Sequence, residues 1–317
     1  MSEHPPVRVV ALGAHVLDVL ARPVTEIPEG QGGTLIEQIR LSPAGAAGGT
    51  AVTLAKLGFE TFSAGAVGDD RLGDVLLAEL ESHGVDTSNL VRRDDVQTSA
   101  SVLPIRPNGD RPALHVIGAN GSYGVDDVPW DLIESAGYLH MGGPEFLGPE
   151  AATRILEFCR EHGVTTSVDV LADGWPELLD MLDPTLAHID WFVPNDDQAR
   201  SLTGLDDLEE AVAALRDRGV SGVAATCGAE GSLIVDASGS TRVPALDIEV
   251  VDTTGCGDAF TAGFLRGLSL GRDPASAAEL GTAAAALVAQ GLGSDAGDFD
   301  LDTAIAHADA GGGRGSS

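Results

Sequence analysis

Short β-branched runs alternate with segments of helical periodicity along most of this chain, and that rhythm restricts the fold more than any single residue does. The runs fall at 7–12, 61–67, 137–140, 165–170, 190–193 and 222–226, and the helical segments at 50–57, 72–82, 151–162, 209–218 and 259–270. Strand, helix, strand in repetition is the pattern of a parallel sheet covered on both faces. No repeat of the solenoid kind accompanies it. The expectation is an α/β protein: one doubly wound, mostly parallel sheet with helices on both faces, in a single domain over residues 1–310. With 317 residues, such a domain buries roughly three quarters of its unfolded surface.

Two regions break the rhythm. Residues 21–41 and 98–117 read as strands without intervening helices, and Pro107-Asn108-Gly109-Asp110 is a tight-turn signal between 99–105 and 113–117. A small β-sheet lid, built from segments at about 15–44 and 96–120, is expected over the carboxyl ends of the main strands, where open α/β folds bind ligands. The tail at 311–317 (GGGRGSS) has the composition of a disordered end.

Charge excludes several classes of partner. The chain carries 49 acidic residues against 18 basic ones, a formal net charge of -31. The basic residues are 17 Arg and one Lys, Lys56, and they form no cluster. Neither a nucleic acid nor an anionic membrane finds a matching surface. The 13 aromatic rings are too scattered for a stacking platform. Cys159, Cys227 and Cys256 contain no CxxC pair, so a disulfide framework and a zinc ribbon are both unsupported. A cytoplasmic location is expected, because the first residues lack a basic leader and His15 and Asp18 interrupt their apolar run. The excess of Asp over Glu fits a saline cytoplasm and a GC-rich genome alike. The eight His residues show no HxH or HExxH spacing, and most are expected to be surface or capping groups.

The densest chemistry lies in Asp252-Thr253-Thr254-Gly255-Cys256-Gly257-Asp258-Ala259-Phe260, between an apolar run at 248–251 that reads as a strand and a helix. Two glycines flanking a small residue let backbone N–H groups converge, and a helix N-terminus adds partial positive charge there. Asp258 falls in the first helical turn. A carboxylate beside an anion hole suits a group that takes a proton from a hydroxyl while the hole stabilises a transferred anion. By spacing alone the segment is equally a capped helix start. Cys256 has no His nearby to activate it as a nucleophile. The lone Lys56 excludes a Walker A loop and a protein-kinase site, since Leu57 and Gly58 follow it. It reads as a cation in the last turn of a helix.

The nonapeptide closely resembles the D-T-x-G-A-G-D signature of the ribokinase-like (PfkB) carbohydrate kinases, and the resemblance extends over nearly the whole chain. Gly13 to Asp18 is similar to the family's G-x-x-x-x-D. Gly48-Gly49-Thr50-Ala51-Val52-Thr53-Leu54-Ala55-Lys56-Leu57-Gly58 resembles its first signature. Pro194-Asn195-Asp196-Asp197-Gln198 stands in place of the N-x-x-E magnesium motif, and Thr226-Cys227-Gly228-Ala229-Glu230-Gly231 resembles the nucleotide loop.

The resemblance implies a kinase using ATP and Mg²⁺, with K⁺ as a further cation. It phosphorylates a hydroxymethyl group of a sugar or nucleoside. Asp258 is then the general base, and Gly255, Cys256 and Gly257 supply the hole. Asp18, Gly48, Gly49 and Thr53 orient the acceptor. Asn195, Thr226, Gly228, Gly231 and Thr282 serve the nucleotide, Gln198 or Asp197 the magnesium, and Asp252 a monovalent cation. A homodimer through the lid is also implied. Three positions depart from the family pattern: Thr53 for Asn, Gln198 for Glu, and Thr282 where Asn is common. The first two motivate a competing reading, a non-catalytic sugar- or nucleoside-binding regulator on the same fold. A sugar acid would meet a Tyr/Arg pair in the lid. Arg106 and Arg111 are there, without a Tyr.

Overall fold

A computed structural model of the protein describes residues 7–171 and 176–312. The chain starts in β1 (Arg8–Gly13), β2 (Val16–Arg22) and β3 (Gln38–Ala44), then enters α1 (Gly48–Lys56). β4 (Glu60–Gly68), α2 (Arg71–Ser82), β5 (Asp86–Arg93), β6 (Ala100–Pro104) and β7 (Leu114–Val116) follow. The middle runs α3 (Trp130–Glu134), β8 (Tyr138–Gly142), α4 (Pro144–Leu147), α5 (Pro149–His162), β9 (Thr165–Asp169) and α6 (Pro176–Leu186). Next come β10 (Trp191–Phe192), α7 (Asp196–Thr203), α8 (Leu208–Asp217) and the strands β11 (Gly222–Thr226), β12 (Ser232–Asp236) and β13 (Gly239–Val243). The helices α9 (Cys256–Ser269), α10 (Pro274–Ala289) and α11 (Leu301–Gly312) end the chain.

The large sheet has the order β13-β12-β11-β10-β9-β8-β1-β4-β5. It is parallel from β11 through β5 and antiparallel at β11–β12 and β12–β13. Strand β1 illustrates why the sequence reads as an apolar run. Val10 and Leu12 pack with Leu139, Met141 and Ile155 on one face. Val9 and Ala11 pack with Leu54, Leu265 and Leu280 on the other. A parallel strand covered on both faces has no polar side to show.

The lid is the second sheet, order β3-β2-β6-β7. Ser42, Asp18, Ser101 and His115 stand abreast across it, and the next row is Leu41, Val19, Val102 and Leu114. Period-two alternation sends neighbouring rows to opposite faces. Ser42, Asp18 and Ser101 are accordingly buried, while Leu41, Val102 and Leu114 are exposed.

Two expectations change. Residues 248–251 are not a strand; among the described residues they pair only at Val251, whose N–H donates to Ala289 O. Their apolar character has another cause, because Ile248 and Val250 line a cavity. The tail is helical as far as Gly312, and 313–317 lie outside the described residues. His15 and His140 are the exceptions to the expected surface placement of most histidines: both are fully buried, and burial lowers each to about 4, so the rings are neutral. Among the described residues no helix is long and apolar enough to cross a membrane.

Candidate active site

The fold brings the carboxyl ends of β1, β8 and β9, the start of α9 and the inner face of the lid together. Gly255 caps α9 in the left-handed conformation, φ 76°, which glycine adopts without strain. A side chain there would also strike Ser294. The N–H groups of Gly257 and Asp258 belong to the first helical turn, which has no intrahelical acceptors. The Cys256 N–H turns back to Thr253 O at 3.3 Å. The Cys256 thiol is pushed up to about 12, first by burial and then by the Asp252 charge. It stays protonated, with Sγ directed at Ala285 O. Asp252 frames the hole: Oδ1 accepts from Thr254 N and Oγ1, and Oδ2 from Gly293 N at 2.9 Å.

Asp258 is partly buried, and its Oδ1 accepts from Thr50 Oγ1 at 3.4 Å. Burial raises its carboxyl to about 7; the Thr50 hydroxyl opposes that shift and Asp18 adds to it. Gly49 abuts this carboxylate so closely that any Cβ would collide with Asp258 Oδ2. The N–H groups of Gly48 and Gly49 donate to Ala14 O and Gly45 O. Glycine at 49 therefore serves the base by making room for it. Thr53 is fully buried, and its hydroxyl has no partner among the described residues.

Asp18 faces the same space from the lid. Burial raises it to about 6, against the Ser101 hydroxyl and the Arg111 charge, with Asp252 pushing the same way as burial. Arg111 reaches in from the β6–β7 loop. Its Nη1 donates to Thr254 Oγ1 at 2.5 Å and lies 3.9 Å from Asp252 Oδ1. The guanidinium is one-third exposed, and its other N–H groups are available to a ligand.

A further acidic corner was not singled out by the sequence. Asp169 ends β9, and its Oδ1 is buried without a hydrogen-bond partner among the described residues. Its carboxyl stands well above the usual range, through burial first and then the charges of Asp258 and Glu145. The rule that open α/β sheets bind ligands at strand carboxyl ends would have selected it. Gln198 sits nearby in a different role. Its Oε1 accepts from Asn195 N, Asn195 Oδ1 accepts from Gln198 N, and Gln198 Nε2 donates to Val170 O. This reciprocal pair caps α7. Asp197 is almost fully exposed and lies 3.6 Å from Arg200.

Beside the hole opens a cavity of about 560 Å³, lined by Thr226, Gly228, Gly231, Asp247, Thr282 and Ala286 and bounded by Cys256 and Gly257. The two glycines of its loop differ. A Cβ on Gly231 would strike Val243 O, whereas around Gly228 nothing lies within 4 Å. Gly231 thus serves strand packing, and Gly228 leaves backbone open to a ligand. Asn195 joins this wall through a bridge to Thr226.

Known proteins resemble this chain over most of its length. The profile of the pfkB family of carbohydrate kinases matches residues 8–299. An ATP-dependent ribose-1-phosphate kinase of Halopiger xanaduensis is 32% identical over 89% of this chain and 92% of its own. A 2-dehydro-3-deoxygluconokinase of Bacillus subtilis is 30% identical over 79% of this chain and 81% of its own. Among solved structures, Arabidopsis thaliana ribokinase complexed with ribose and ATP superposes with a TM-score of 0.84 at 22% identity, over 96% of this chain and 99% of that one.

Proposed function

The chain belongs to the pfkB family of carbohydrate kinases, and on that premise we propose that it moves the γ-phosphoryl group of ATP to a hydroxymethyl group of a sugar or nucleoside, with Asp258 as base. The observation that carries this reading is a carboxylate held near pKa 7 at the mouth of an anion hole. A base with that pKa accepts a proton effectively at neutral pH. The acceptor oxygen attacks the γ-phosphorus, its proton passes to Asp258, and the bond to ADP breaks. The N–H groups of Gly255 and Gly257 would face the charge that develops on the transferred group, and Cys256, whose N–H turns back to Thr253 O, would shape the turn between them.

Asp18 accepts from acceptor hydroxyls, with Gly48, Gly49 and Thr53 forming the floor beneath. Arg111 offers donors to an anionic substituent, so a sugar phosphate, such as the ribose 1-phosphate in the Halopiger relative's name, belongs among the candidate acceptors. Thr226, Gly228, Gly231, Thr282 and Asn195 border the nucleotide space.

Magnesium suits Asp169 Oδ1, a buried carboxylate oxygen without a partner among the described residues, which a divalent cation would satisfy. Asp169 would hold it beside Asp258, with Gln198 and Asn195 bracing the corner. Bound there, the ion would offset phosphate charge. A potassium ion at Asp252 finds no such opening. Three protein donors already occupy that carboxylate, and neighbouring carbonyls accept from Arg40 and Lys56. No step is assigned to it.

The exposed row Leu41, Val102 and Leu114 supports a homodimer formed through the lid. An ADP-release assay over pentoses, ribose 1-phosphate, ketohexoses, sugar acids and nucleosides tests the reading, with Asp258→Asn as control. At least one acceptor is expected to release ADP about 10²-fold or more above that control. Acceptor binding with no ADP above the control would instead identify a non-catalytic binding protein.

A further inference from the structure

We propose that Lys56 is a positioning residue for phosphoryl transfer: its ammonium acts as a tethered monovalent cation that holds the loop at 292–297 against the anion hole. The proposal rests on the kinase reading of the Asp258 site and adds a residue to it.

Lys56 is the last residue of α1. Its Nζ donates to three consecutive carbonyls, Asp295 O at 2.8 Å, Ala296 O at 3.0 Å and Gly297 O at 2.6 Å. An ammonium has three donors, and all are used. The charge also lies 4.9 Å from the Phe299 ring centroid, a favourable cation–π distance. Three successive carbonyl dipoles aimed at one point repel each other, so the loop keeps this shape only around a positive charge. A surface lysine serving the dipole of its own helix would bind that helix's carbonyls. Here the acceptors lie about 240 residues further along the chain.

The loop held in this way is the back wall of the hole. Gly293 N donates to Asp252 Oδ2, and Ser294 fills the space that requires glycine at 255. The other end of the ammonium's lever is α1, whose Thr50 and Gly49 contact Asp258. Lys56 therefore ties the helix that places the base to the loop that shapes the hole. Arginine would not reproduce this, because its planar fork cannot converge three donors on one cage. Arg40 secures the loop from the lid side by donating to Leu292 O and Asp295 Oδ2, so loss of Lys56 loosens the loop and leaves the fold standing.

The experiment compares wild type with Lys56→Ala and Lys56→Arg, using an acceptor from the panel above at constant ionic strength. In Lys56→Ala, kcat is expected to fall about tenfold or more while both KM values stay within about threefold, the signature of misplaced groups rather than lost binding. Methylammonium chloride is expected to restore kcat saturably and to raise the melting temperature of Lys56→Ala. Choline chloride is expected to do neither, and wild type to respond to neither salt. Lys56→Arg is expected to recover only part of the loss. A Lys56→Ala kcat within about twofold of wild type would overturn the proposal, as would a loss that methylammonium leaves unchanged in both kcat and melting temperature. If wild type turns over no acceptor, the substrate reading fails separately, and the melting-temperature arm still decides the role of Lys56.

Discussion

At the scale of single residues, the site is governed by carboxyl groups held away from their ordinary range. Asp258 at about 7 and Asp18 at about 6 are both raised chiefly by burial. For catalysis, kcat/KM should fall with unit slope as pH drops below about 7, because a protonated base cannot accept the acceptor's proton. Below about 6 the protonation of Asp18 should steepen the decline. For stability the sign is opposite. A carboxylate whose folded pKa exceeds its unfolded value binds more protons in the native state, so its contribution is most favourable below about 4 and is lost as pH rises through 7. Asp258→Asn is therefore expected to be more stable than wild type at pH 8, by on the order of 1–3 kcal/mol, with the gap closing toward pH 4. Urea unfolding at the two pH values measures it. An unchanged gap would mean that Asp258 is not strained by burial.

At the scale of elements, the corner between β9 and α7 holds two candidate groups for the proposed magnesium. Gln198 spends its amide on the α7 cap and on Val170, while Asp169 keeps an oxygen without a partner among the described residues. Gln198→Ala should cost roughly 1 kcal/mol as a lost cap. It should leave the magnesium half-saturation within about twofold, whereas Asp169→Asn should raise it about 10–100-fold, as loss of a metal-site group does. Magnesium titrations of activity decide between them. The same corner shows what was legible beforehand. The alternation of strands and helices, the turn at 107–110 between β6 and β7 and the place of Asp258 in the first turn of α9 were all readable, because each depends on residues close in sequence. The run at 248–251 misled, since a cavity wall and a strand demand the same β-branched apolar residues. Asp169 and the Lys56 cage stayed hidden, and Arg111 was named without its contacts, because their meaning comes from partners brought together by the fold, as with Arg111 and Thr254, 143 residues apart.

At the scale of the molecule, a net charge of -31 sets a condition on association. Two copies repel at long range, so the apolar lid row must meet under salt that screens this repulsion. Sedimentation should show a dimer whose dissociation constant falls as salt rises. Leu114→Glu should give a monomer, and a monomeric wild type at every salt concentration would remove the dimer altogether.

The two-faced lid has a consequence for how such a chain can diverge. Its inner row carries Asp18, the carboxylate proposed to hold the acceptor, and its outer row the oily surface, one residue out of step. A single insertion within β2 or β6 would exchange the two faces in one event, turning Asp18 out to water. Length variation among descendants of this sequence should therefore collect in the connections at 23–37 and 105–113, where new acceptor preferences can arise without inverting the sheet.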